Sequence, residues 1–221
     1  MRLRALAAAA LALAAAALAA CEPIEGPDPA DTGDQLAVVF GDSLSFTSWD
    51  ESTALYVADL DWQVSLNHDL GYRFDSPRWV ARYPSVPAGS TVILALGTND
   101  IASTLSTCWT DCQTAADIKA DARHAIAAVT AAGAARVVVP TVNETSAGLS
   151  GGAERLWATV AWNDWLARAD VSTHPDYRAL DVVDWSAVAE GRTDWLGPDQ
   201  LHHNAAGEAA YAQFLYDSRL P

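Results

Sequence analysis

Short apolar segments of strand length alternate along this chain with longer segments of helical periodicity. The strand-like segments are rich in β-branched residues and cover residues 36–40, 62–66, 91–96, 136–140 and 180–183. The first, third and fourth are almost uninterrupted apolar runs, which is typical of parallel strands that are covered on both faces. The alternation predicts a single α/β domain in which helices cover both faces of a parallel sheet of about five strands.

The helical pattern is clearest over residues 114–132. Its apolar positions repeat on one stripe and are Ile118, Ala122, Ala125, Ile126 and Val129. Thr114 and Asp117 have the spacing of a capping box, in which each side chain accepts a hydrogen bond from the other residue's backbone N–H. We therefore expect a helix that begins directly after Thr114 and packs this stripe on the sheet.

Two further helices are predicted in the second half of the chain. Residues 153–169 carry Trp157 and Trp165 at helical spacing, and we expect both indole rings to lie in the core. The last helix begins near Ala205, where Asn204 is suited to the N-cap because its side chain can accept from the first free N–H groups.

The N-terminus has the pattern of a secretory signal peptide over residues 1–20. Arg2 and Arg4 precede residues 5–20, which consist of twelve Ala and four Leu. This run is too short and too rich in Ala for a good permanent membrane span. The junction Leu-Ala-Ala-Cys that ends at Cys21 resembles the lipobox of bacterial lipoproteins. That resemblance implies lipidation of Cys21 and a lipid-anchored protein on the periplasmic or extracellular face of the bacterial cell envelope, whereas ordinary cleavage with an incidental Cys21 is the alternative.

Residues 21–35 are rich in Pro, Gly and acidic side chains, and they predict a flexible tether between the anchor and a folded domain over residues 36–221. The whole chain has 28 Asp and Glu residues against 13 Lys and Arg, a net charge of −15. This balance argues against nucleic acid as a partner, because phosphate binding needs clustered basic side chains. It also argues against membrane adhesion through a basic patch, so the expected membrane contact is the lipid at Cys21.

Cys108 and Cys112 lie four residues apart, and in an exported protein we expect them to form a local disulfide. Two free thiols are the alternative. A zinc site is disfavoured because no second Cys or His pair has the spacing that would complete four ligands.

Three polar motifs occupy positions where functional sites form in open parallel sheets, beyond the carboxyl ends of the strands. Gly-Asp-Ser-Leu at residues 41–44 follows the first predicted strand, and Gly-Thr-Asn-Asp at residues 97–100 follows the third. Asp-Gln-Leu-His at residues 199–202 precedes the last helix. Because parallel strands end at one edge, these three motifs are expected to meet there.

With these motifs in this order, residues 36–219 resemble the SGNH (GDSL) hydrolase family. The resemblance implies a flavodoxin-like three-layer α/β/α fold and a serine esterase that needs no cofactor and no metal ion. The expected substrate is an ester of short acyl length, an acetylated carbohydrate or a lysophospholipid. Two other functions remain open: a non-catalytic envelope binding protein with the same fold, and an O-acyltransferase with the same triad.

The family pattern assigns a role to five residues. Ser43 is the nucleophile, which a base must activate because a free hydroxyl is a weak nucleophile. His202 is that base, and Asp199 holds its other ring nitrogen. The oxyanion hole consists of the backbone N–H groups of Ser43 and Gly71 and the side-chain amide of Asn99.

The residues themselves leave alternatives at these positions. Ser43 and Asp199 are both also suited to cap a helix, and His203 competes with His202 for the role of base. The motif around Gly71 is a loose version of the family pattern, and the amide of Asn67 in the same segment is a competing donor.

Other polar residues near these motifs are not assigned to the site. We expect Asp42 and Asp100 to stabilise their own turns through local hydrogen bonds. His68, His124 and His174 have no partner at catalytic or metal-binding spacing.

Overall fold

The structure is a computed structural model that describes residues 35–59, 61–169 and 180–220. The predicted signal peptide, Cys21, the predicted tether up to residue 34 and His174 lie outside the described residues. The described residues include the three polar motifs at 41–44, 97–100 and 199–202 and both cysteines of the predicted disulfide.

Five parallel strands form one sheet in the order β2-β1-β3-β4-β5. The strands are β1 (Gln35–Gly41), β2 (Trp62–His68), β3 (Thr91–Ala95), β4 (Arg136–Pro140) and β5 (Leu180–Val183). This is the strand order of a flavodoxin-like sheet, so the predicted α/β fold is confirmed. Gly41 pairs with His68 of β2 and with Ala95 of β3, which places the end of β1 between the ends of its two neighbours.

Helices connect the strands and cover the sheet. Among the described residues they are α1 (Ser43–Thr47), α2 (Trp49–Ala58), α3 (Pro77–Val80), α4 (Thr98–Ser103), α5 (Ala115–Ala131), α6 (Glu144–Ala169), α7 (Trp185–Val188) and α8 (Ala205–Asp217), with 3₁₀ turns at Tyr83–Ser85 and Thr193–Trp195. In the part of the chain that the structure describes, none of the helices has both the length and the apolar character needed to cross a bilayer.

The core is divided between the two faces of the sheet because successive strand residues point to opposite sides. On one face, Phe40 packs edge-on against Trp79 and Tyr83, with ring centroids 5.6 and 5.0 Å apart. On the other face, the side chains of Val39 and Ile93 pack in one cluster with Trp185, Tyr211 and Leu215. Both faces are therefore covered, as the uninterrupted apolar strands predict.

The predicted starts of α5 and α8 are confirmed, whereas the helix predicted over residues 153–169 is the second part of α6, which begins at Glu144. The Thr114 hydroxyl accepts from the Asp117 N–H at 3.2 Å and the Asp117 carboxylate accepts from the Thr114 N–H at 2.8 Å, which completes the capping box of α5. Asn204 caps α8, since its side-chain oxygen accepts from the N–H groups of Ala206 and Gly207.

The expectation that Trp157 lies in the core is wrong. Helix α6 bends at Gly152, which has a φ of 65°, and Trp157 in the following segment is 72 % exposed. The fully buried ring is that of Trp162, and Trp165 packs beside it at 5.0 Å. The physical reason is which side of the helix faces the core. The buried side contains Trp162, whereas Trp157 points away from it.

A disulfide joins Cys108 and Cys112, as expected. It closes a short loop between α4 and α5 that contains Trp109 and Asp111, and Asp111 adopts a φ of 52°. This loop, residues 108–112, is called the disulfide loop below.

Candidate active site

Ser43 is the first residue of α1, directly after the end of β1. Asp42 occupies the N-cap, where its side chain accepts from the Leu44 N–H at 3.0 Å. Ser43 is therefore not the capping residue, and its hydroxyl is free for another partner. Gly41 is required before this turn because a Cβ at that position would overlap the Ser45 hydroxyl.

Ser43, His202 and Asp199 form a continuous hydrogen-bonded chain. The Ser43 Oγ lies 3.0 Å from His202 Nε2, and His202 Nδ1 lies 2.6 Å from Asp199 Oδ2. Both distances are within hydrogen-bond range. The structure thus brings together residues that are 159 positions apart in the sequence.

Asp199 is held by its own turn. Its other carboxylate oxygen accepts from the N–H groups of Leu201 and His202, both at 3.0 Å. The hydrogen bond from His202 and these backbone donors hold the pKa of Asp199 down to about 2. An ionised carboxylate at this place fixes the proton of the imidazole on Nδ1, which leaves Nε2 free to accept the serine proton.

His203 points into the core instead. Its ring is 6 % exposed and packs against Trp185 and Tyr211, with centroids 5.7 and 5.2 Å apart. Burial lowers the pKa of His203 to about 4. The geometry therefore favours His202 over His203 as the partner of Ser43.

Gly71 and Asn99 line one cleft, together with residues of the loop after β2 and of the disulfide loop. Gly71 has a φ of 74°, a conformation that favours glycine. The Asn99 side-chain amide donates to the Tyr72 carbonyl at 3.2 Å, which determines its orientation and leaves its second N–H for another acceptor. Asn67, the competing amide, is directed elsewhere, since it donates to the Ser65 carbonyl and its oxygen accepts from an arginine.

Asp100 does not stabilise its own turn, contrary to the expectation from sequence. Its Oδ1 accepts from the Phe74 N–H at 3.1 Å, 26 residues away, while Oδ2 has no hydrogen-bond partner among the described residues. Burial raises the pKa of Asp100 to about 8 and that of Asp42 to about 7. No local pattern could have indicated the Phe74 contact, because its two partners come from different strand exits.

An aromatic group lies at the neighbouring exit of β2. His68 is 8 % exposed and packs against Trp49 and Phe46, with ring centroids 4.6 and 5.5 Å apart. Burial is the main cause that lowers the pKa of His68 to about 4. His124 lies on the exposed side of α5, so neither histidine joins the chain of residues at Ser43.

A sequence model of the GDSL-like Lipase/Acylhydrolase family matches residues 32–210. No curated protein sequence matches the chain. Among solved structures, an acetylxylan esterase from Geobacillus stearothermophilus, a catalytic mutant of Axe2, is 14% identical with a TM-score of 0.61, covering 85% of this chain and 95% of that one.

Two further structures are similar over comparable lengths. A carbohydrate esterase family 3 protein from Talaromyces cellulolyticus is 18% identical with a TM-score of 0.57, covering 83% of this chain and 95% of that one. The catalytic domain of peptidoglycan O-acetyltransferase A (OatA) from Streptococcus pneumoniae is 16% identical with a TM-score of 0.56, covering 83% and 92%. At such identities the likeness shows the shared fold.

Proposed function

Because this chain belongs to the GDSL-like lipase/acylhydrolase family of serine hydrolases, we propose that it cleaves an acyl ester through an acyl-enzyme on Ser43. The observation that carries the proposal is the chain of hydrogen bonds from Ser43 through His202 to Asp199, with its distances of 3.0 and 2.6 Å. This arrangement supplies a nucleophile, a base and a group that orients the base.

In the first half of the reaction, the Ser43 oxygen attacks the ester carbonyl while His202 Nε2 takes the serine proton. The imidazolium that forms is stabilised by the ionised Asp199. His202 then gives the proton to the leaving alcohol, and the acyl group remains on Ser43. In the second half, His202 takes a proton from water, and the water oxygen attacks the acyl carbonyl on Ser43. His202 then returns the proton to the Ser43 oxygen, and the carboxylic acid leaves.

The carbonyl oxygen becomes negatively charged during both halves. We assign its stabilisation to the N–H groups of Ser43 and Gly71 and to the free N–H of Asn99. The hydrogen bond from Asn99 to Tyr72 supports this assignment, because it holds the amide in place before the substrate arrives.

We propose acetyl as the acyl group. The support is that similar structures include an acetylxylan esterase and an acetyl esterase, as their descriptions state. Transfer of the acyl group to a sugar hydroxyl instead of water is a second candidate, since the peptidoglycan O-acetyltransferase domain is similar over 92% of its length. Both reactions share the acyl-enzyme and differ only in what accepts the acyl group.

A fluorophosphonate probe tests the nucleophile directly, because it labels only an activated serine. We expect the wild-type protein to be labelled and Ser43→Ala to remain unlabelled. Ser85→Ala is the matched control, since the Ser85 hydroxyl is exposed and donates only to the Arg82 carbonyl. Folded wild-type protein that resists labelling would favour a non-catalytic binding protein.

Product analysis separates the two candidate reactions. The enzyme is incubated with 4-nitrophenyl acetate and an excess of a sugar acceptor, and free acetate is compared with acetylated sugar. Acetate as the main product supports hydrolysis, whereas acetylated sugar as the main product supports transfer.

We further propose export and lipid anchoring at Cys21, which is supported by the sequence pattern of residues 1–21 alone. Expression of the full chain in a bacterium, followed by mass spectrometry of the mature N-terminus, tests it. A diacylglyceryl group on Cys21 and release into the soluble fraction by Cys21→Ser are expected. An unmodified N-terminus would support ordinary signal cleavage.

A further inference from the structure

A cleft of about 850 Å³ opens between the loop after β2 and the disulfide loop. The assigned oxyanion donors Gly71 and Asn99 lie in its wall, and the disulfide loop and the residue after it contribute Thr110, Asp111 and Gln113. Its volume is within the range of sites for small organic ligands, about 300–1,000 Å³. A substrate whose carbonyl oxygen reaches the oxyanion donors therefore has one of its two halves next to this cleft.

The polar side chains in the walls of the cleft are already held in place. Arg73 donates to both carboxylate oxygens of Asp75, at 3.0 and 3.1 Å, and also to the Asp111 carbonyl of the disulfide loop at 2.9 Å. Gln113 donates to Asp75 at 3.2 Å and to Asp121 at 2.6 Å. This network connects the two walls, so a ligand does not have to order them on binding.

Such a wall suits hydroxyl groups better than an acyl chain. Carboxylate oxygens keep lone pairs for further donors even when they already accept from an arginine, whereas covering them with hydrocarbon would remove them from water without compensation. Apolar surface is available elsewhere, since Phe46 lies on the same helix as Ser43, three residues later, and is 45 % exposed. The polar part of the lining is thus matched to the hydroxyl-rich half of an ester, and Leu70, Tyr72 and Pro77 add apolar surface to the same cleft.

The disulfide loop also carries an aromatic side chain, Trp109, directly before Thr110, which lines the cleft. Trp109 is 93 % exposed, the largest exposed fraction among the large apolar side chains of the described residues. The disulfide and the contact from Arg73 to Asp111 hold the loop that carries it. An indole face packs well on the C–H face of a sugar ring, because it offers a large rigid apolar area at low entropic cost.

We propose that the cleft and Trp109 form a saccharide subsite, in which the polar walls bind the sugar ring that carries the ester and Trp109 packs against a following ring. The proposal rests on the proposed esterase function, because it assigns the alcohol half of that substrate. It predicts that the preferred ester is carried by an oligosaccharide rather than by a simple alcohol.

Direct binding tests this subsite independently of catalysis. Xylotetraose and N-acetylchitotetraose are titrated separately into the wild-type protein by isothermal calorimetry, and the arm that binds identifies the type of sugar. We expect Trp109→Ala to weaken that binding by about tenfold or more, as is common when a contact tryptophan is truncated. Trp157→Ala is the matched control, since Trp157 is a second exposed tryptophan, 72 % exposed, that lies on α6 and not in the disulfide loop.

Kinetics with acetylated forms of the same sugar and with 4-nitrophenyl acetate give a second readout. We expect Trp109→Ala to lower the ratio of kcat/KM for the acetylated tetrasaccharide to that for 4-nitrophenyl acetate, mainly through KM. Absence of binding in both sugar arms, or equal binding by Trp109→Ala and the wild type, would overturn the subsite. Failure of fluorophosphonate labelling with sugar binding intact would instead overturn the esterase and leave the subsite in place.

Discussion

Two regions carry the residues assigned to the reaction besides Ser43, and they are built in opposite ways. The histidine turn, residues 197–202, is held by contacts within itself: Asp199 accepts from residues two and three positions later, and Gly197 N–H donates to the His202 carbonyl at 2.8 Å. The amide clamp consists of Asn99 and Asp100 with their partners Tyr72 and Phe74, which are 27 and 26 residues away. The first region is held by local contacts and is partly exposed, whereas the second is held by long-range contacts, with Asp100 and Phe74 buried and Asn99 and Tyr72 half-buried.

The difference determines how each region responds to substitution. His202 and Asp199 have side chains that are 38% and 53% exposed, so replacing them removes few packing contacts and should change the chemistry more than the stability. Asp100 is 0% exposed and Phe74 is 1% exposed, so a change in the clamp alters the fold and the oxyanion donors together. The following predictions test this separation.

The largest effect is expected for His202→Ala, which should lower kcat by roughly 10⁴-fold or more because the serine loses its base. The melting temperature should stay close to that of the wild type. The matched variant His203→Ala removes a buried ring beside Trp185 and should cost about 1–3 kcal/mol of stability. Steady-state kinetics and thermal melts of both variants check this, and the reverse pattern would make His203 the base.

Asn99→Ala should lower kcat by roughly 10²–10³-fold, the usual loss for one oxyanion donor. Asn67→Ala is the control, because this second amide donates to the Ser65 carbonyl and not toward the cleft. Ester hydrolysis by both variants is compared after circular dichroism has shown that they are folded. A loss in Asn67→Ala as large as that in Asn99→Ala would remove Asn99 from its assigned role.

We expect a substitution of Asp100 to be tolerated if the new side chain keeps a hydrogen-bond acceptor, and to be damaging if it does not. Asp100→Asn keeps an oxygen for the Phe74 N–H and is neutral like the protonated carboxyl, so kcat and stability should stay near wild-type values. Asp100→Ala leaves that N–H unpaired in the core, which should cost about 1–3 kcal/mol and also lower kcat. Urea denaturation and kinetics distinguish the two. Equal damage in both variants would show that the ionised form is required.

Stability should fall as the pH rises from about 6.5 to about 8. Burial raises the folded-state pKa of Asp42 to about 7 and of Asp100 to about 8, so in this window the folded state keeps protons that the unfolded state has released. Folding then becomes less favourable with increasing pH, by on the order of 2 kcal/mol in total. Below this window, between about pH 4 and 6.5, His68 and His203 have the opposite effect on stability. Their folded-state pKa values are lowered to about 4, so the unfolded state binds more protons there and their contribution to stability rises with pH.

Urea denaturation of the wild type at pH 6.5 and pH 8.5, compared with Asp100→Asn, checks this dependence. The variant lacks one of the two groups and should lose less stability over the same interval. A wild-type protein that becomes more stable with increasing pH would show that Asp42 and Asp100 are ionised in the folded state.

Prediction from sequence succeeded where the cause was close along the chain. The strands, the capping box of Thr114 and Asp117, and the Asn204 cap all depend on neighbours within a few residues, and the structure contains them all. The spacing of Asp199 and His202 is local in the same way, and the structure joins the two side chains. The prediction that Trp157 is buried failed because helical spacing alone does not show which side of a helix faces the sheet.

The amino-acid sequence by itself determined the order of strands and helices along the chain and the sheet edge at which the three motifs meet. It also determined the turn that pairs the Asp199 carboxylate with the His202 imidazole. These follow from periodicity, capping and short-range hydrogen bonds. Only the tertiary structure decided that Asp100 holds the Phe74 backbone, that His203 is buried, and that residues of the disulfide loop line the same cleft as Gly71 and Asn99. Each of these contacts joins segments whose approach depends on how whole helices pack on the sheet, and no local pattern carries that information.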